Sequence, residues 1–111
     1  MPVAGNKIGD ITELFCNAPN VIHLRDAVNT ITGAASTSLA YTAKVYASSG
    51  GLATGSALIT QASVNQTGGY YTITITKADS ELLTKGTQYV LDIDEDSGND
   101  GGTALVTAVW A

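Results

Sequence analysis

The sequence predicts an all-β fold, an antiparallel β-sandwich of about seven short strands. Three observations predict it. Apolar and polar residues alternate over several short stretches, and turns rich in glycine and asparagine separate these stretches by about 8–12 residues. No helical pattern is long enough for a crossover between parallel strands. The chain of 111 residues fits one domain with one hydrophobic core.

The first residues predict an irregular arm followed by a strand. Residues 2–10 contain two glycines and show no alternation. The stretch "ITELFCN" (residues 11–17) is apolar on both faces, which predicts a strand covered on both sides. Pro19 ends this strand because proline cannot donate to a ladder. We therefore divide the chain into an N-terminal arm with a docking strand, residues 1–17, and a sandwich domain, residues 18–111.

The central part of the chain carries the clearest strand signals. Strands are predicted at 21–28, at 39–47, more weakly at 57–64, and at 70–76. In the second of these, alternation places one set of side chains on one face, Leu39, Tyr41, Ala43 and Val45, and another on the opposite face, Thr42, Lys44 and Tyr46. In the fourth, the residues that share a face are Tyr71, Ile73 and Ile75.

The C-terminal part contains the one helical signal. The stretch "ADSELLTKG" (residues 78–86) predicts one or two helical turns, with Asp79 or Ser80 as the N-cap and Gly86 as the terminator. Two further strands are predicted, "TQYVLDID" (residues 87–94) and residues 103–110. In the first of them, Tyr89, Leu91 and Ile93 are predicted inward, and Val90, Asp92 and Asp94 outward.

Composition narrows the classes of function. The net charge is −5, and the five basic residues are dispersed, so no cluster is available to neutralise the phosphates of a nucleic acid. No apolar run approaches the roughly 18 residues of a membrane span, and the first residues lack the pattern of a signal peptide. We therefore expect synthesis in a cytoplasm and no membrane contact. A single cysteine excludes an internal disulfide.

The acidic stretch "LDIDEDSGNDGG" (residues 91–102) raises the question of a metal site. Calcium loops of the EF-hand type need glycine at position 6 and a bidentate glutamate at position 12. Counted from Asp92, those positions hold Ser97 and Thr103, so the pattern fails. The favoured interpretation is a solvated hairpin loop with no cofactor. The alternative is weak calcium binding by Asp94, Asp96 and Asp100.

Two residues, Cys16 and His23, are the candidates for nucleophilic catalysis. A cysteine nucleophile needs a neighbouring imidazole or another positive field to lower its pKa. Because Cys16 stands among apolar residues, the favoured interpretation is a small buried hydrophobe, with His23 at a sheet surface. We predict a protein without catalytic residues and without enzymatic activity.

The sequence resembles fibronectin type III and immunoglobulin-like modules in the segment "LTKGTQYVLDI" (residues 83–93). The resemblance implies that Tyr89 is a corner tyrosine, with its ring buried and its hydroxyl bonded to the preceding turn. It further implies that Leu83 closes the end of the core and that Gly86 makes the bend. The cysteine pair of antibody domains is missing, and so is their core tryptophan, because Trp110 is the penultimate residue.

Residues 21–111 also resemble small immunoglobulin-like proteins of tailed-bacteriophage virions. The resemblance lies in "HLRDAV", "TAKVYASSGG", "GGYYTITIT", the corner "LxxGxxY" and a terminal strand. It implies a non-enzymatic virion structural protein, above all a head decoration (cement) protein, with a neck or tail subunit or a fibre domain as alternatives. The implied partners are the major capsid protein or other virion subunits and further copies of the chain on the particle.

A docking protein of this kind needs exposed apolar residues, and the sequence offers candidates near both ends. We predict docking through Ile11, Leu14 and Phe15, and next through Val109 and Trp110. For Trp110 two roles remain open, an interface anchor or a lid over the end of the core. Tyr46 and Tyr70 are predicted on outward faces, where they form either ordinary cross-strand pairs or a contact patch. A sandwich that used these tyrosines and the polar loops would be an adhesin or carbohydrate-binding module.

Overall fold

The computed structural model describes residues 11–24, 40–65, 71–95 and 101–111, which form two packed β-sheets with one short helix. The elements in chain order are β1 (Glu13–Phe15), β2 (Asn20–Leu24), β3 (Tyr41–Ser49), β4 (Leu52–Ala62), β5 (Val64–Asn65), β6 (Tyr71–Ile75), α1 (Lys77–Ser80), β7 (Gln88–Glu95) and β8 (Gly101–Val109). Because β5 has only two residues, the described residues contribute seven strands of three or more residues to the sandwich.

The larger sheet has the strand order β1-β8-β7-β3-β4, and the smaller sheet has the order β2-β6-β5. Two packed sheets built from these strands make an all-β sandwich, so the predicted fold class is confirmed. Strand β1 pairs with β8 in parallel, whereas the other pairs are antiparallel. Alternation within single strands did not predict this parallel pair, because the pairing joins two strands that are far apart in the chain.

The core lies between the sheets and follows the predicted alternation. The rings of Tyr41 and Tyr71 meet across it edge to face, with centroids 5.2 Å apart. The inward side chains of β3, β6 and β7 are all buried, as predicted: Tyr41, Ala43, Val45, Tyr71, Ile73, Ile75, Tyr89, Leu91 and Ile93.

The predicted division of the chain after residue 17 is wrong. Strand β1 belongs to the larger sheet, and its central residue Leu14 and the following Cys16 are part of the core cluster. The sandwich therefore includes at least residues 13–16. The sequence pattern was misleading because a strand that is apolar on both faces fits a sheet edge as well as a separate arm.

The helix differs from its prediction in both boundaries. The N-cap of α1 is Thr76, whose hydroxyl accepts the Asp79 N–H, and the C-cap is Glu81. Asp79 and Ser80 lie inside the helix because the extended backbone that a cap requires occurs at Thr76. Gly86 lies in the following turn with φ at +84°, which agrees with its predicted bend but not with a helix terminator.

Val90 is the exception among the outward residues of β7. It lies outside the core cluster, between two inward neighbours, yet only 7% of it is exposed. Its cross-strand partners are Tyr46 on β3 and Leu105 on β8, both large side chains on the same outer face. Because β7 has a strand on each side, these two neighbours contribute to the burial of Val90.

Candidate docking surface

The parallel pairing of β1 with β8 brings predicted docking residues from both ends of the chain to one sheet edge. Phe15 lies opposite Val109 in the register. The Cys16 N–H donates to the Val109 carbonyl at 2.9 Å, and the Ala111 N–H donates to the Asn17 side-chain oxygen at 2.8 Å. The last residues of the chain therefore run beside residues 15–17.

Alternation along β1 separates the predicted docking residues. Leu14 faces the core and is 2% exposed, so its prediction as a docking residue is wrong. Its position in the middle of β1 makes it a core residue, because successive side chains of a strand point to opposite faces. Phe15 has the other orientation and is 41% exposed. Ile11 is partly buried and packs against the core, so little of it is available to a partner.

Trp110 follows the last residue of β8 and is 63% exposed. The Lys85 ammonium lies 5.4 Å from the centroid of its ring, a cation–π distance. A lid over the core would be covered on its inner side and largely buried, so this exposure favours the predicted role of anchor. We call Phe15, Val109 and Trp110 the terminal patch. Val109 is half-buried. It is the register partner of Phe15 and directly precedes Trp110 in the chain.

The side chain of Asn20 closes the free edge of β1. Cys16 and Thr12 make their backbone bonds to β8, so the backbone groups of Phe15 point to the opposite side. There the Phe15 N–H donates to Asn20 Oδ1 at 2.7 Å, and Asn20 Nδ2 donates to the Phe15 carbonyl at 2.9 Å. At this residue a partner therefore meets the side chain of Phe15 rather than open backbone groups. No pattern in the sequence singles out Asn20, because its partner Phe15 lies on a different strand.

The predicted tyrosine corner, formed by Leu83, Gly86 and Tyr89, lies at the end of the sandwich next to the terminal patch. Tyr89 is 5% exposed, and its hydroxyl accepts the Thr84 N–H at 2.7 Å, the geometry that the resemblance implied. Leu83 is also 5% exposed. The Gly86 N–H donates to the Ala108 carbonyl at 2.8 Å, which ties the turn to β8 just before the terminal patch. This tie keeps Lys85 beside the Trp110 ring.

Of the two tyrosines predicted on outward faces, the structure describes Tyr46. Tyr46 is half-buried on the outer face of the larger sheet, where it lies beside Val90. Tyr70 lies outside the described residues. Strand β6, which follows Tyr70 in the chain, belongs to the smaller sheet. What the structure describes of Tyr46 fits ordinary cross-strand packing.

The outer face of β7 carries two carboxylates. Partial burial raises the pKa of Asp92 above its ordinary value of 3.8, and a hydrogen bond and the negative charge of Asp94 act in the same direction. Lys44, which lies opposite Asp92 on β3, acts against them. Asp96 and Asp100 lie outside the described residues, so the alternative of calcium binding stays a prediction. Within 11–24, 40–65, 71–95 and 101–111, no three metal-binding side chains form a group.

Cys16 and His23 lie in different environments. Cys16 is buried in the core beside β8, and His23 is exposed on β2, opposite Thr72. The core has no described charge next to the thiol, so these placements agree with the favoured structural interpretation of both residues. In the described part of the chain, no helix has the length and apolar character needed to cross a membrane.

Comparisons with protein-family models, with curated proteins and with solved structures find no significant match to this chain. The resemblance to virion proteins of phages therefore stays a prediction.

Proposed function

We propose that the protein is a non-enzymatic structural protein of a bacteriophage virion, and among virion components we favour a capsid decoration (cement) protein. In this proposal it is made in the host cytoplasm, docks on the major capsid protein and reinforces the head lattice. It uses no cofactor and binds neither nucleic acid nor membrane. The observation that carries the proposal is the terminal patch, where Phe15 on the edge strand is 41% exposed and Trp110, which follows the register partner of Phe15, is 63% exposed.

The terminal patch has the properties of a docking site. Exposed aromatic side chains on a rigid base give much contact area for little loss of conformational entropy. The backbone of Phe15 is held by Asn20, its neighbour Cys16 bonds to β8, and the Lys85 ammonium lies over the Trp110 ring. A patch this small binds weakly by itself. Many copies on a fixed lattice would give stable retention through multivalency.

A subunit of the neck, tail or fibre would use the same patch against another virion protein. The number of copies per particle separates these alternatives, since a decoration protein is present in proportion to the capsid subunits and a neck or fibre protein is present in few copies. The adhesin or carbohydrate-binding alternative depends on Tyr46 and Tyr70. It has less support, because Tyr46 is half-buried between neighbouring strands.

The test is retention on purified particles that lack the endogenous protein. Purified wild-type chain, Phe15→Ala and Trp110→Ala are added in excess, and bound copies per particle are counted by quantitative mass spectrometry. We expect a fixed, high copy number for the wild type and a loss of at least about tenfold in affinity for each variant. Leu82→Ala is the matched control, because Leu82 is 58% exposed and lies outside the patch.

Single substitutions are sharper than deletion of residues 1–17, since that deletion also removes Leu14 from the core. If the Phe15 and Trp110 variants bind at the wild-type occupancy, the terminal patch is not the docking site. If the wild-type chain is absent from particles and does not bind them, the proposed function is wrong.

A further inference from the structure

The two edges of the larger sheet differ in how they are protected. Strand β1 at one edge has three residues, carries Glu13, and has its backbone groups at Phe15 bonded to Asn20. Strand β4 at the other edge has eleven residues, none of them charged or proline. Folded proteins usually protect an edge strand with charged residues, proline or a bulge, because its open backbone groups pair readily with another chain, and of these three features β4 has only a bulge.

The uncharged character extends beyond β4. No charged residue occurs between Lys44 and Lys77, although the whole chain carries ten acidic and five basic residues. Two exposed leucines lie within β4, Leu52 at 73% and Leu58 at 43% exposed. Among the described residues, no strand pairs with β4 on the side away from β3. We call Leu52–Thr60 of this strand the neutral edge.

Local features limit what kind of contact the neutral edge can make. The pairing of β3 with β4 shifts register between Val45 and Ala47, so residues 55–58 form a bulge with Gly55 at φ +69°. Such a bulge bends the strand and prevents a long continuous ladder with a partner. Beyond Thr60, the Gln61 side chain donates to Asp79 of α1, which lies over that end of the strand. The contact is therefore short and combines backbone groups with the Leu58 side chain.

We infer that the neutral edge is where a second copy of this chain binds, with β4 of one copy against β4 of the other about a twofold axis. In a twofold contact each residue near the axis meets its own counterpart, so a charged residue there would face a like charge. Two copies with a net charge of −5 each repel one another, and this edge is where they approach with the least repulsion. A basic partner would instead select the acidic face near Asp92.

This inference goes beyond the proposed function, because the pairing takes place in solution without any particle. A stable interface buries at least about 1,000 Å² in total, and a short bent edge offers less. The protein is therefore expected to be a monomer when dilute and to dimerise at concentrations approaching about 1 mM, which neighbouring copies on a lattice would reach locally.

The test is analytical ultracentrifugation of the purified full chain up to about 1 mM. Leu58→Glu places like charges at the contact and is expected to weaken dimerisation by at least about tenfold. Leu82→Glu is the matched control, with the same change at a similarly exposed leucine outside the edge, and its dimerisation should equal that of the wild type. Added salt should strengthen dimerisation of the wild type, because it screens the repulsion between two acidic copies.

Three results would overturn the inference: a wild-type monomer at every concentration, equal weakening by both glutamate variants, or weaker dimerisation in salt. Particle binding separates this inference from the proposed function. Leu58→Glu at saturating concentration should still occupy sites on particles, and Phe15→Ala should still dimerise.

Discussion

The side-chain amide of Asn20 replaces a neighbouring strand for Phe15, since it accepts the Phe15 N–H at 2.7 Å and donates to the Phe15 carbonyl at 2.9 Å. Asn20 is the first residue of β2 in the smaller sheet, and Phe15 is the last of β1 in the larger sheet. The pair therefore joins the edges of the two sheets. It also holds the aromatic ring of the terminal patch at a defined position.

Asn20→Asp tests the two hydrogen bonds between Asn20 and Phe15, because it hardly changes the shape of the side chain. The carboxylate still accepts from the Phe15 N–H, but it cannot donate to the carbonyls of Phe15 and Ala18 and repels both. We expect the free energy of unfolding in urea to fall by about 1–3 kcal/mol. Asn17→Asp is the control, because Asn17 uses only its oxygen, towards the Ala111 N–H. Equal effects of the two substitutions would contradict the role given to Asn20.

Leu14→Ala and Phe15→Ala separate folding from docking at adjacent positions. Leu14 is buried in the core, so its truncation should lower the free energy of unfolding by about 2–5 kcal/mol. Phe15 is 41% exposed, and its truncation should cost less than about 1 kcal/mol while reducing binding to particles. Urea denaturation gives the first quantity. A Phe15 variant as unstable as the Leu14 variant would show that its binding defect reports unfolding.

Tyr89→Phe removes the hydroxyl that accepts the Thr84 N–H. We expect a loss of about 0.5–1.5 kcal/mol in the free energy of unfolding, because the donor keeps only solvent as a partner. Hydrogen exchange gives a local measurement: the amide of Thr84 should exchange faster. The amide of Thr87, which donates to the Thr84 carbonyl, is the internal control and should change less. Unchanged exchange at Thr84 would mean that the corner bond contributes nothing.

The raised pKa of Asp92 predicts a dependence of stability on pH. Burial and Asp94 favour the protonated form of Asp92 in the folded state, so its contribution to stability is complete below 3.8 and is lost as pH rises through the folded-state pKa. Asp92→Asn should therefore be more stable than the wild type at pH 7, and this difference should vanish below pH 3.8. Thermal unfolding across this pH range measures it.

Glu81→Gln is the control for Asp92→Asn, because it also removes one negative charge, at an exposed position. Its effect on stability is subtracted from that of Asp92→Asn. A stabilisation by Asp92→Asn that stays constant with pH would exclude a shifted pKa as its cause.

Trp110 is the single tryptophan of the chain, so its fluorescence reports on the terminal patch alone. In the free protein we expect emission typical of a solvated indole and strong quenching by acrylamide, because the residue is 63% exposed. Binding to particles should shift the emission to shorter wavelength and reduce quenching. Emission of a buried indole in the free protein would instead support the role of a lid over the core.

Several strands were predictable because their alternation is clean. In β3, β6 and β7 one face is apolar and the other is mostly polar, so burial follows from the period of two. Strand β1 lacks this contrast. Leu14 and Phe15 are both apolar, and no local rule tells which of them faces the core. The N-cap was misassigned for a similar reason, since Thr76, Asp79 and Ser80 are all good capping residues.

The sequence by itself determined that the protein is an all-β sandwich, which side chains of its clear strands are buried, and that an uncharged stretch separates Lys44 from Lys77. These properties are local, because the backbone repeats every two residues along a strand. Only the tertiary structure decided that β1 lies beside β8, that Phe15 lies opposite Val109, and that β1 and β4 form the two edges of the larger sheet. Such pairings join residues that are far apart in the chain, and hydrogen bonds and packing of the whole sandwich select them.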